Sequence, residues 1–171
     1  ARLQHLRRAA EGTRTSWWNG STVLDEVARQ LGAEGFAVID GFGGDEQAIS
    51  LRATLERVLS QAHRGRMGSG GGGGATILRG DQVAWAEEVH ERHPDLSRAL
   101  SPVLWRLDAL ASALVRRLPD AAHLSWRGDV QLARYADGAR YVRHVDNTCT
   151  SGRGARCNGR RLSAVYYTNP A

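Results

Sequence analysis

The sequence predicts an α+β fold in which helices come first and strands follow, the helices packing outside a mainly antiparallel sheet. Three observations carry this. Apolar residues recur at helical spacing through the first two thirds of the chain. After Trp126 the texture changes to short strand-like runs separated by glycine-containing turns. With 171 residues and a hydrophobic fraction of 42%, the chain is long enough for one domain with a real core.

Residues 1–20 are basic and polar and end in Trp17-Trp18-Asn19-Gly20, where the tryptophans are expected to anchor the segment onto a core. The first helix is expected over 22–31. Thr22 and Asp25 form a capping-box-like start, Val23, Leu24, Val27 and Leu31 make an apolar stripe, and Gly32 stops it. "GFAVID" (35–40) reads as a short buried strand. Asp45 can cap a second helix over 46–62, with Ile49, Leu51, Leu55, Val58 and Leu59 on its buried side. "GSGGGGG" (68–74) reads as a flexible insert, and with no strand before it the glycines do not make a dinucleotide fingerprint. "ATILRGDQVAWAEE" (75–88) reads as a strand and a turn. The longest helix is expected over 96–118, with Leu100, Val103, Leu104, Leu107, Leu110, Leu114 and Leu118 as its stripe. Pro102 is tolerable only near the first turns, which would place the start of the regular part there. Residues 129–138, 140–147 and 161–169 read as strands, with a long Gly/Arg/Cys loop before Arg160.

Composition excludes several classes. Apolar runs are broken by Arg or Asp well short of the roughly 18 residues of a spanning helix. No apolar run flanked by basic residues opens the chain, so no signal peptide is expected. The net charge is +5, and all 23 basic residues are arginine. Their dispersal along the chain argues against a nucleic-acid partner and for compositional bias. Two cysteines, Cys149 and Cys157, are too few for a disulfide scaffold, so a reducing compartment, cytoplasmic or nuclear, is expected.

The segment "YVRHVDN" (141–147) carries the chemistry. In a strand, alternation puts His144 and Asp146 on one face together with Val142, and Arg143 and Val145 on the other. An imidazole nitrogen and a carboxylate oxygen on one face are half of a metal site of the two-histidine, one-carboxylate kind that holds non-haem Fe(II). Taken alone, the pair is equally a polar face of a surface strand. His90 and His93, in a polar segment ending in Pro94, read as solvated surface residues.

"YVRHVDN", followed by "VYYTNP" and preceded by "ILRGDQVAW", resembles the Fe(II)- and 2-oxoglutarate-dependent prolyl hydroxylases, and within them the group that hydroxylates hypoxia-inducible factor. The resemblance covers roughly Gly35 onward and is sharp in three blocks: Arg79-Gly80-Asp81 with Trp85, Tyr135 through Asn147, and Val165-Tyr166-Tyr167 with Asn169. It implies that 21–171 is part of a dioxygenase domain whose helices pack on a double-stranded β-helix (jelly-roll) core, incomplete in this chain. It implies His144 and Asp146 as iron ligands, and Tyr135 and Tyr167 facing 2-oxoglutarate through phenol-to-carboxylate hydrogen bonds. It places Asp81 near the site entrance, paired with an arginine such as Arg160, and makes Asp81, Tyr141 and Arg160 candidate substrate-binding residues. Alternation puts Tyr141 opposite His144, so a bulge is needed to bring it inward. The implied reaction consumes molecular oxygen and 2-oxoglutarate, hydroxylates a prolyl residue of a protein or peptide, and draws on L-ascorbate to keep iron reduced.

The sequence departs from the family pattern in two places. The family needs a second histidine several strands after the pair and a basic residue beyond it, whereas His5, His63, His90, His93 and His123 all precede the pair. A jelly roll needs about eight strands, and about five are legible. The expectation is therefore a C-terminally truncated domain that binds Fe(II) poorly by itself and turns over nothing, with strand edges that invite aggregation. Asp146 and Tyr167 are also 21 positions apart, a longer connection than expected. Cys149 and Cys157 inside it are unpaired thiols, a disulfide, or partners of His144 and Asp146 in a zinc site. Two alternatives to the oxygenase stay open. One is a catalytically dead interaction module that binds an acidic partner or RNA through Arg153, Arg156, Arg160 and Arg161. The other is a zinc-stabilised structural domain.

Overall fold

The computed structural model of the chain describes residues 17–64, 80–118, 124, 127–141, 144, 146 and 160–169. Among these it is α+β, with helices and a small antiparallel sheet. The chain divides into two compact units, Ala1–Asp45 with Pro102–Arg127, and Glu46–Ser101 with Gly128–Ala171. The Gly-rich insert at 68–74 and the loop holding Cys149, Arg153, Arg156 and Cys157 lie outside the described residues, as do His5 and His123.

In the first unit a 3-10 turn, Trp17–Asn19, leads into helix α1, Ser21–Glu34. The expected capping box does not form. Gly20 is the N-cap in extended conformation with no side-chain cap hydrogen bond, and Asp25 instead accepts from Arg117 Nε at 2.7 Å. The helix also runs through Gly32. It stops at Gly35, where φ is 75° and the N–H reaches back to Leu31 O at 3.1 Å. Glycine inside a helix costs only about 1 kcal/mol, so it ends one only where the chain turns left-handed.

Val23 and Val27 of α1 form a buried cluster with Leu114, and Ala28, Leu31, Ala37, Ile39, Leu110 and Leu118 pack against it. The expected strand at 35–40 is absent. The segment keeps a strand's alternation, with Ala37 and Ile39 against the cluster and Phe36 and Val38 59% and 39% exposed. It is therefore one-sided where a fully buried strand was expected. Trp18 is buried as an anchor, its ring tilted on Phe42 at 5.2 Å and edge-on to Trp105 at 6.3 Å. Arg106 donates to the Gly43 carbonyl at 2.6 Å and ties down the same turn.

The second unit takes up helix α2, Asp45–Leu59, from its second residue on. Leu51, Thr54, Val58 and Leu59 are buried, but Ile49 is 69% exposed. At about 100° per residue, Ile49 sits about 200° from Leu51 around the helix axis, on the face away from the stripe. The sheet has order β1-β2-β3, all antiparallel: β1 His63–Arg64, β2 Gln82–Trp85 and β3 Gln131–Arg134. Gln82 pairs with Arg134 and Trp85 with Gln131, which sets buried Ala84 opposite buried Leu132. The turn expected after β2 is a short helix α3, Ala86–Val89.

Helix α4, Pro94–Val115, contributes to both units. It begins eight residues before Pro102, so the expected start there is corrected. Pro94 opens it at a position where a missing N–H is harmless. Pro102 lies inside the helix on an exposed position, where it leaves one backbone hydrogen bond unmade.

Of the three strands expected after Trp126, 131–134 is the one paired as a strand among the described residues, and 142, 143, 145 and 147 of the expected 140–147 lie outside them. Tyr141 makes an isolated bridge, and 160–169 has no strand pairing. A double-stranded β-helix is thus not formed among the described residues, because a strand exists only with a partner backbone beside it. Among the same residues no helix is long and apolar enough to cross a membrane.

Burial separates two positions that look alike in sequence. Leu114→Ala should cost about 2–5 kcal/mol by creating a cavity in the α1–α4 cluster. Ile49→Ser should stay within about 0.5 kcal/mol of wild type. Urea unfolding followed by far-ultraviolet circular dichroism reads both.

Candidate functional site

The polypeptide enters the site from β3. Arg134 ends the strand, and the chain turns at 136–139, where Ala139 N–H donates to Ala136 O at 2.9 Å and Gly138 adopts φ 75°. Glycine is required there because a side chain strains that conformation. Arg140 O then accepts from Gly80 N–H at 3.2 Å, fastening the turn to the residues just before β2.

Among the described residues, neither His144 nor Asp146 is assigned to a strand, yet their side chains meet. His144 Nε2 lies 3.0 Å from Asp146 Oδ1. The other carboxylate oxygen, Oδ2, accepts from the Ser163 hydroxyl at 2.6 Å and from Arg160 Nη1 at 3.1 Å. The two side chains are 34% and 38% exposed, open enough for a ligand to reach.

The Ser163 hydrogen bond is the main cause that holds the Asp146 carboxyl below its ordinary range. Partial burial opposes it, and Arg160 and then His144 add to the lowering. Asp146 is therefore a carboxylate at neutral pH.

Tyr141 stacks on His144, with ring centroids 3.8 Å apart and planes at 26°. Residues three apart cannot share a face of a regular strand. Tyr141 nevertheless lies against His144, as its candidate role at the site required and as simple alternation alone would not give. Arg160, expected to pair with Asp81, is seen here on Asp146. Asp81 is fully buried, so it is not an open carboxylate at a site entrance, and a peptide substrate could not touch it. Tyr135, directly after β3, is 48% exposed and Tyr167 is 75% exposed. His90 is exposed, as expected of a surface residue, and its Nδ1 lies 2.7 Å from the Glu87 carbonyl.

Ser163 is the participant that sequence reasoning missed. Its signal was a small hydroxyl residue in the otherwise apolar run Leu162 to Tyr167, at the same parity as Tyr167.

The pair fits two neighbouring positions around a cation. Two donors each about 2.1 Å from a metal and at right angles are about 3.0 Å apart. A cation there would be held by His144 Nε2 and Asp146 Oδ1, with Ser163 and Arg160 occupying Oδ2. Among the described residues no group of three or more histidine, cysteine or carboxylate side chains is placed to hold a metal, so a third protein ligand is not among them.

No family model matches the chain, and no solved structure matches it. Among curated proteins it is similar to the prolyl hydroxylase EGLN3 of rat and of mouse, each 29% identical over 153 residues, covering 85% of this chain and 58% of the relative. A probable protein phosphatase 2C 8 of rice is 38% identical over 71 residues, which is 41% of this chain but 18% of the phosphatase. The chain is thus distantly similar to prolyl hydroxylases along most of its length, and it spans under two thirds of the length of the relatives it matches.

Because the folded value of Asp146 is depressed, the stabilisation it gives is fully present above the unfolded aspartate value and is lost as pH falls through the folded one. Carboxyl-carbon NMR should show Asp146 titrating below the other exposed aspartates. Ser163→Ala should move its midpoint upward toward them.

Proposed function

We propose that the protein is an Fe(II)- and 2-oxoglutarate-dependent dioxygenase that hydroxylates prolyl residues of a protein substrate, with His144 and Asp146 as two of its iron ligands. The observation that carries this is the 3.0 Å separation of His144 Nε2 and Asp146 Oδ1, in a chain similar along 85% of its length to prolyl hydroxylases.

His144 offers a nitrogen lone pair at Nε2. Asp146 offers Oδ1, and its negative charge offsets part of the charge of the cation. Ser163 and Arg160 block rotation of the carboxylate by holding Oδ2. Ligands that are themselves hydrogen-bonded bind metal more tightly and in one orientation. Tyr135 and Tyr167 carry phenols able to donate to the carboxylates of 2-oxoglutarate, and a bound cosubstrate would cover rings that now stand exposed. Bound ferrous iron would supply the oxidative chemistry, in which oxygen and 2-oxoglutarate are consumed, carbon dioxide and succinate leave, and one oxygen atom enters a prolyl C–H bond. L-ascorbate serves as the reductant that keeps the iron ferrous. A protein so built works in a reducing compartment such as the cytoplasm or nucleus.

Mn(II) reports the ligand pair without turnover. Electron paramagnetic resonance titration should show binding to the chain that is lost, by tenfold or more, in His144→Ala and in Asp146→Ala. Equal Mn(II) affinity in all three proteins would overturn the assignment of these ligands. The hydroxylase reading is then tested by mass spectrometry of proline-containing peptides incubated with Fe(II), 2-oxoglutarate, ascorbate and a longer product of the parent reading frame, where the expected product has gained one oxygen atom while the 171-residue chain alone yields none.

A further inference from the structure

We propose that the Gly80 turn positions the His144 imidazole through Arg140 and Tyr141. Gly80 and Tyr141 are then positioning residues of the proposed metal site, and the inference rests on that reading only for what the imidazole binds.

The argument begins with space. A Cβ built on Gly80 would lie 3.3 Å from Ala139 Cβ, 3.4 Å from Ala139 Cα and 3.6 Å from Arg140 N. The contact with Ala139 Cβ is the one tighter than ordinary, and a Cβ is fixed to its backbone, so a side chain at position 80 displaces Ala139 by a few tenths of an ångström. That backbone has little room to retreat. Ala139 N–H is held by Ala136 O at 2.9 Å in the turn through Gly138, and Arg140 O is held by Gly80 N–H at 3.2 Å. On the other side of Gly80 the chain becomes Asp81, fully buried, and then β2, with Gln82 paired to Arg134. Gly80 is thus the point at which a rigid segment meets the turn that leads to the site.

The displacement has one short path onward. Tyr141 follows Arg140, and its ring lies flat on the imidazole of His144. A stacked ring on the face and the Asp146 carboxylate at the edge together set the plane of the imidazole and the direction of its Nε2 lone pair. The orientation of a ligand histidine governs metal affinity even where the neighbour touches no metal. The aromatic face does this work, and the phenol oxygen is not needed for it.

The test uses the whole chain, metal-free, and follows the His144 ring protons by NMR. Stacking on Tyr141 shifts them upfield. Tyr141→Leu should abolish that shift, while Tyr141→Phe should keep it. Gly80→Ala should move the same signals toward the Tyr141→Leu position with helical circular dichroism unchanged. Adding Ala139→Gly, which removes the crowded methyl, should return them toward wild type. Mn(II) affinity should fall about tenfold in Tyr141→Leu and in Gly80→Ala, and recover in the double variant. His144 signals that do not move in Gly80→Ala, a double variant no nearer to wild type than Gly80→Ala, or loss of helical signal in Gly80→Ala would each overturn the inference. A wild-type chain that binds no Mn(II) would instead count against the proposed function, while the ring shifts would still report the positioning.

Discussion

The contact between His144 Nε2 and Asp146 Oδ1 depends on an ionised carboxylate whose other oxygen is already engaged. Ser163 and Arg160 approach Oδ2 from a segment seventeen and fourteen residues further along the chain. A free carboxylate rotates and offers either oxygen to any donor. This one is held on one side and offers the other. The same hydrogen bonds depress its proton affinity, so charge and direction arise from one arrangement.

Around the pair the structure divides its tasks between short and long elements. The sheet has strands of two to four residues, and its central strand lies between two neighbours in antiparallel register. Such a sheet contributes rigidity where it touches the turn at 136–140, and the chain beyond it carries the chemistry-bearing side chains. In the other unit the packing is helical. α1 and the later part of α4 share the cluster built on Val23, Val27 and Leu114, with Ala37 and Ile39 laid against it. Apolar burial of this kind, at about 25 cal/mol per Å², outweighs exposed ion pairs such as Arg52–Glu56, which contribute roughly 1 kcal/mol or less.

Two observations bear on the proposed oxygenase: the distant similarity to prolyl hydroxylases and the contacts of Tyr141, His144 and Asp146. The first runs over 153 residues and is indifferent to any one contact. The second involves a handful of atoms that composition does not bring together. Of the arginines considered for an interaction module, Arg160 contacts Asp146 with its side chain 45% exposed, and Arg153 and Arg156 lie outside the described residues.

Helix positions were legible in the sequence wherever packing follows periodicity. The stripe of α1, the burial of Trp18 and most of the stripe of α4 follow from spacing of 3.6 residues, which the backbone enforces locally. The helix ends were not legible. Gly32 and Gly35 look alike as letters, and only the path of the chain decides which one turns left-handed. Ile49 was misplaced because an apolar residue near a stripe is not thereby on it.

At the site, the sequence by itself determined that an imidazole and a carboxylate stand two residues apart, beside a tyrosine and ahead of a polar position in an apolar run. The tertiary structure alone decided that Ser163 meets Asp146, that Tyr141 lies on His144 despite the parity of their numbers, and that Asp81 is sealed from solvent. The reason is physical. Contacts across seventeen residues, or between rings that alternation would set apart, depend on where the backbone is fastened, and no local rule of spacing records that.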